Sequence, residues 1–264
     1  MTLPLHLIDA FAEAPFTGNP AAVVLLDTPR PDAWMQHVAT EMNQAETAFL
    51  RQRDDGYTLR WFTPNREVDL CGHATLASAH YLWESGQLAP AATARFDTRS
   101  GWLLARQDAG GWITLDFPVI ISRPATAPAN ITAALGVTPR EIWRGTTDLM
   151  CVVDDAATVR RLAPDLAAIA AWEMRGVLVT APGDMPGVDF ISRCFFPAFG
   201  VPEDSVTGSA HCALAHYWSD VLQRDTVVGY QASARGGTVR CRTMGDRVEL
   251  TGRAVTTVRG TLAA

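Results

Sequence analysis

The sequence predicts a mixed sheet-and-helix protein built as two similar halves, each a sheet folded around one central helix. Three observations carry that expectation. The segments GHATLASAHYLW from Gly72 and GSAHCALAHYW from Gly208 each place a His-Tyr pair eight residues after the glycine. Acidic residues precede each segment, Glu67 and Asp69 in one and Glu203 and Asp204 in the other. A further glycine stands 29 residues beyond each, Gly101 and Gly237, with Arg99 and Arg235 two positions earlier. Offsets that match at two distances mark an internal repeat.

The elements follow from local pattern. Apolar runs of strand length bounded by turn residues occur at Leu5–Phe11, Ala21–Leu26, Thr58–Phe62 and Trp112–Phe117 in the first half. Cys151–Val153, Gly176–Val179, Val188–Ser192 and Val248–Leu250 read the same way in the second. Pro31–Met42 reads as a helix, with Trp34, Val38 and Met42 at spacing four and Asp32 near its start. Pro164–Met174, rich in alanine, also reads as helical. Gly72–Glu84 and Gly208–Leu222 are apolar nearly all round, the pattern of helices buried inside their half. Pro118, Pro124 and Pro128 punctuate the junction. The expected boundaries are 1–118 for the N-terminal lobe, completed by 253–264, and 119–252 for the C-terminal lobe.

Composition narrows the function. The chain has 264 residues, 48% hydrophobic, which supports real cores and argues against disorder. With 22 basic and 28 acidic residues the net charge is −6, so a nucleic-acid partner is not expected. No run approaches the roughly 20 apolar residues of a membrane span, and the first residues lack a signal-peptide pattern, so a cytoplasmic protein is expected. The cysteines at 71, 151, 194, 212 and 241 show no close pairing, against a zinc ribbon or disulfide framework. Phosphate-loop, dinucleotide, zinc-protease and serine-hydrolase motifs are all missing. No metal and no cofactor are expected.

The repeat itself suggests chemistry. Cys71-Gly72-His73-Ala74-Thr75 and Thr207-Gly208-Ser209-Ala210 open the two central helices with small residues. N–H groups at a helix start lack intrahelical partners and carry partial positive charge, so two such starts facing one cleft would grip a carboxylate. Cys71 sits where a thiol gains acidity, yet its counterpart is Thr207, so a pair of thiols is not available. Cys212 reads as core, and His80 and His216 as structural. His73, directly after its glycine, is the better functional histidine. Glu46, opening an apolar stretch after the first helix, could shuttle a proton with a raised pKa, although a solvated turn residue is the ordinary reading.

The motifs taken together resemble the PhzF family of phenazine-biosynthesis-like isomerases. The matching segments are Asp9-Ala10-Phe11 with Gly18-Asn19-Pro20, Glu46-Thr47-Ala48-Phe49, Arg60-Trp61-Phe62-Thr63-Pro64 and Glu67 through Thr75. Asp97 through Gly101, Glu203 through Ala210, Gln231-Ala232-Ser233 and Arg235-Gly236-Gly237 continue in family order.

The resemblance implies an α+β, two-lobed diaminopimelate epimerase-like fold with mostly antiparallel sheets and the active site in the cleft between lobes. It implies no cofactor or metal, a homodimer, and isomerisation of a substrate such as trans-2,3-dihydro-3-hydroxyanthranilate. By the same resemblance Glu46 moves the proton and His73, Asp204 and Ser209 support it. Backbone at Gly72, Ala74, Thr207 and Gly208 binds the carboxylate of a small substrate. Two departures stand out: Ala45 before the glutamate, where the family often has Ser, and Ser205 where it usually has Pro. Epimerisation by Glu46 and Cys71, or a non-catalytic binding role, are the alternatives.

Overall fold

The computed structural model describes residues 2–263. In chain order the elements are β1 (Thr2–Ala10), β2 (Asn19–Leu26), α1 (Asp32–Met42), β3 (Glu46–Arg53), β4 (Gly56–Phe62), β5 (Glu67–Val68), α2 (Gly72–Glu84), β6 (Ala94–Thr98), β7 (Gly101–Gln107) and β8 (Ile113–Pro118). There follow β9 (Arg123–Pro124), α3 (Ile131–Leu135), β10 (Glu141–Arg144), β11 (Asp148–Val152), α4 (Ala156–Arg161), α5 (Leu166–Ala170) and β12 (Gly176–Pro182). The chain ends with β13 (Phe190–Phe196), β14 (Val201–Asp204), α6 (Gly208–Leu222), β15 (Thr226–Gln231), β16 (Gly237–Met244), β17 (Arg247–Gly252) and β18 (Ala254–Ala263). The chain divides into two units, Met1–Asp116 with Thr251–Ala264, and Phe117–Leu250.

In the first unit β1 is flanked by β18 and β2, antiparallel to both. The strand β2 runs parallel to β3, which is antiparallel to β4. In turn β4 is antiparallel to β5 and parallel to β6, and β6 continues antiparallel into β7 and β8. Helix α2 packs on β1, β2 and β3, and every residue of it except Gly72, His80 and Glu84 is buried. A helix apolar on all sides is stable only where the sheet surrounds it. Helix α1 ends at Asn43, in the left-handed region at φ 49°. Asparagine tolerates that conformation, and the reversal delivers the chain into β3, which opens with Glu46.

The second unit repeats the scheme. Its β11 runs parallel to β12, which is antiparallel to β13. In turn β13 is antiparallel to β14 and parallel to β15, which is antiparallel to β16. Helix α6 packs on β15 and β16. Its core side includes Trp218, stacked on Phe190 with ring centroids 5.8 Å apart and donating its indole N–H to Thr180 Oγ1 at 3.0 Å. The series β2-β3-β4-β5-α2-β6-β7 and β11-β12-β13-β14-α6-β15-β16 therefore share order and strand sense. Gly101 and Gly237, picked out by their common offset, each begin the strand in the last place of the series.

One helix is shorter than its sequence suggests. Within 164–174 only Leu166–Ala170 is helical. Asp165 caps it by accepting from the Ala168 N–H. The chain then leaves the helical path, because the Arg175 N–H donates to Thr147 O at 2.8 Å as β12 approaches. Among the described residues no helix is long and apolar enough to cross a membrane.

Candidate active site

In the first unit, Glu46 at the start of β3 meets the N-terminus of α2. His73, the second residue of α2, is 4% exposed, and its Nε2 lies 3.3 Å from Glu46 Oε2. Burial pushes the His73 imidazole down to about 3, so the ring is neutral at ordinary pH and this contact is not an ion pair. Asn19, the first residue of β2, places its Nδ2 3.2 Å from His73 Nδ1. With the amide donating there, the ring proton belongs on Nε2, facing the carboxylate. Cys71 Sγ also approaches Nδ1, at 3.5 Å. Gly72 and Ala74 complete this helix start. The Glu46 side chain retains 18% exposure, enough for a small ligand to reach it.

In the second unit Asp204, Thr207, Gly208 and Ser209 gather at the start of α6. Thr207 donates its hydroxyl to Asp204 Oδ2 at 2.7 Å. Neither cap residue, Cys71 or Thr207, turns its side chain onto the first N–H groups of its helix. Those N–H groups keep the capacity to bind an anion.

Several residues that shape these starts stood in the sequence motifs or near them without a role assigned to them. Arg60 grips both oxygens of Glu67 at 2.6 Å each, and Arg193 grips both of Glu203 at 2.7 and 2.8 Å. The guanidinium lies over Phe62 in one case and Phe195 in the other, at 5.2 and 5.0 Å. Each fork ties a strand to the segment that leads into a central helix. The signal was present as Arg-x-Phe-x-Pro in both halves, Arg60–Pro64 and Arg193–Pro197. Gln231, fully buried, accepts from the Thr207 N–H at 2.8 Å and donates to Asp204 O at 2.7 Å. It thereby fixes the turn before α6 from β15, a contact across the sheet that spacing does not reveal.

The repeat is chemically unequal. Glu46 begins β3, and the corresponding β12 begins with Gly176. A Cβ built on Gly176 would fall 2.2 Å from Phe196 Cδ1 and 2.4 Å from Phe195 O, so no side chain fits there. At this place in the repeat only the first unit carries a carboxylate. Glu46, Cys71 and His73 do offer three donor atoms within 4.8 Å of one another. Cys71, however, faces one ring nitrogen of His73 and Glu46 the other.

Two units of this kind, each a sheet around a buried helix, define the fold class of the diaminopimelate epimerase-like proteins. Hydroxyproline epimerase of Agrobacterium vitis shares that fold, with a TM-score of 0.63 at 12% identity over 99% of this chain and 92% of the other. Within that class the chain belongs to the phenazine biosynthesis-like (PhzF) family, whose model, described as Phenazine biosynthesis-like protein, matches residues 8–260. A PhzF family protein of Enterococcus faecalis superposes with a TM-score of 0.95 at 42% identity, covering 100% of both chains. A relative from Halalkalibacterium halodurans, named an uncharacterized isomerase, is 48% identical over 99% of each chain. The human phenazine biosynthesis-like domain-containing protein is 37% identical over 100% of each.

Proposed function

We propose that the protein is a cofactor-independent isomerase that moves a proton, and with it a double bond, on a small carboxylate-bearing substrate similar to trans-2,3-dihydro-3-hydroxyanthranilate. The observation that carries this is the largely buried Glu46 carboxylate, still 18% exposed, 3.3 Å from a buried neutral His73. Glu46 takes a proton from one carbon, and the C–H electron pair moves into the conjugated system. The same carboxyl then delivers that proton to a second carbon as the double bond shifts. The neutral His73 ring, with its Nε2 3.3 Å from Glu46 Oε2, lies beside the carboxylate and helps hold it toward the substrate. Backbone N–H groups at Gly72 and Ala74 in the first unit serve to bind a substrate carboxylate, those at Gly208 with Thr207 and Ser209 offer the same chemistry in the second, and such donors offset charge that develops during transfer. Asp204 supports this set through Thr207.

Two further observations favour one proton carrier. The place equivalent to Glu46 in the second unit is Gly176, which admits no side chain. Epimerisation by two groups requires them on opposite faces of one carbon, each about 3–3.5 Å from it. Glu46 and Cys71 present donor atoms within 4.8 Å, too close to hold a carbon between them. Pyridoxal chemistry is also opposed by composition, since that cofactor is held on a lysine and all 22 basic residues are arginine. The partners proposed are the small carboxylate substrate and a second copy of the chain as a homodimer, with neither nucleic acid nor membrane. The test is incubation of trans-2,3-dihydro-3-hydroxyanthranilate and a panel of small carboxylates in deuterium oxide. A shifted double bond with deuterium at the receiving carbon supports the reading. Inversion of a stereocentre without a shifted double bond points to epimerisation instead.

A further inference from the structure

We infer that Arg175 is a positioning residue that holds the Ser209 hydroxyl as a hydrogen-bond donor, so that the second half-site selects a ligand offering an acceptor there. The inference rests on the proposed function, which puts Ser209 against the substrate carboxylate. Arg175 precedes β12, and its Nη2 donates to Ser209 Oγ at 3.1 Å. A guanidinium carries donors only, so in this pair the serine oxygen is the acceptor. The serine proton must then turn elsewhere, and among the described residues no group accepts it. Ser209 is partly exposed while Gly208 and Ala210 on either side are buried. The hydroxyl proton is thus left for an acceptor from outside the protein.

Arg175 is itself held on three sides. Its Nε donates to Asp148 Oδ1 at 2.8 Å, and its Nη2 also bonds Asp148 Oδ2. The guanidinium lies over the Phe196 ring at 5.0 Å from its centroid. Asp148 is buried and is the first residue of β11, so the fork is anchored in the sheet. A bidentate pair of this kind fixes the plane of the guanidinium as well as its place. The pair also balances charge, so Ser209 gains a fixed donor behind it without an unpaired buried cation. His73, in the matching second position of α2, meets Asn19 in a comparable way. Both helix starts thus use a residue at the beginning of a strand, Asn19 opening β2 and Arg175 just ahead of β12, to decide which way a proton faces.

The experiment combines a ligand-free measurement with a binding cycle. Arg175→Met is made together with Asp148→Asn, so that no buried charge loses its partner, and Arg175→Lys serves as a second variant should that pair fail to fold. In ligand-free crystal structures of the variant Ser209 should spread over several rotamers while the α6 backbone stays in place. Ser209 held in the wild-type rotamer would overturn it. Anthranilate is then titrated calorimetrically into wild type, the Arg175 variant, Ser209→Ala and their combination. The Arg175 variant and Ser209→Ala should each lose about tenfold in affinity, and the combination should lose no more than Ser209→Ala alone. Wild-type affinity in the Arg175 variant, or losses that multiply, would overturn the inference. If wild type takes up no carboxylate yet Ser209 loses its rotamer in the variant, the proposed function fails and the positioning role stands.

Discussion

Lowering the pH should destabilise the protein steeply, and His211 allows the effect to be sized. His211 lies within α6 and is wholly buried. Its Nδ1–H donates to Thr207 O at 2.8 Å, and its ring lies 5.9 Å from that of Phe190. Burial lowers its pKa from 6.5 to about 4, with the Thr207 bond opposing weakly. The unfolded chain therefore binds a proton near pH 6.5 that the folded chain refuses until about pH 4. Where the unfolded state binds more protons, stability rises with pH. The loss accordingly begins below pH 6.5, proceeds at up to about 1.4 kcal/mol per pH unit, and levels off below about pH 4. Integrated from pH 7 to pH 4 this is roughly 3 kcal/mol, a large part of the ~5–15 kcal/mol that holds a typical domain. His211→Asn keeps a donor near the place of Nδ1 and cannot titrate. Urea unfolding of both proteins at pH 7, 6, 5 and 4 reads the difference. Wild type should lose about 3 kcal/mol more than His211→Asn across that range. Parallel curves would refute the burial argument.

Three other outcomes follow from the same geometry. Cys71→Ser should keep most of the activity measured by deuterium uptake, whereas a loss of about 10²-fold or more would make the thiol a proton carrier. Prolonged treatment with a chelator should leave turnover unchanged, and restoration of a lost activity by zinc would count against the donor arrangement around His73. Gln231→Leu removes all three side-chain bonds to the turn before α6, those to Thr207 N, Thr207 Oγ1 and Asp204 O, and leaves the Thr207 N–H buried without its acceptor. It should lower stability by about 1–3 kcal/mol and weaken carboxylate binding, both visible in thermal unfolding with and without ligand.

Much of the architecture was legible because a repeat is a long-range statement written in local residues. Gly72 and Gly208 open the two buried helices, and Gly101 and Gly237 open matching strands, as their common offsets require. Glu46 and His73 were legible only in part. Chemistry alone left Glu46 as one carboxylate among many, and the family motifs singled it out. The residues that orient the site could not be read from spacing. Asn19 reaches His73 across 54 positions, Arg175 reaches Ser209 across 34, and Gln231 reaches Thr207 across 24. Such contacts are set by strand pairing, and a hydrogen bond between distant residues leaves no periodicity. The shortened helix at 166–170 has the same origin. Its alanines favour helix, but the bond from Arg175 N–H to Thr147 O draws the following chain into the sheet.

Whether one carboxylate carries the proton is tested directly by Glu46→Gln. The amide keeps the shape beside His73 and cannot accept a proton from carbon. Wild type and Glu46→Gln are compared for deuterium uptake from solvent into trans-2,3-dihydro-3-hydroxyanthranilate, with binding of anthranilate followed in parallel. Uptake should fall by at least about 10²–10⁴-fold in the variant, the usual contribution of one general acid–base group, while anthranilate affinity is retained. Equal uptake by the two proteins would contradict the account and leave Glu46 a structural residue.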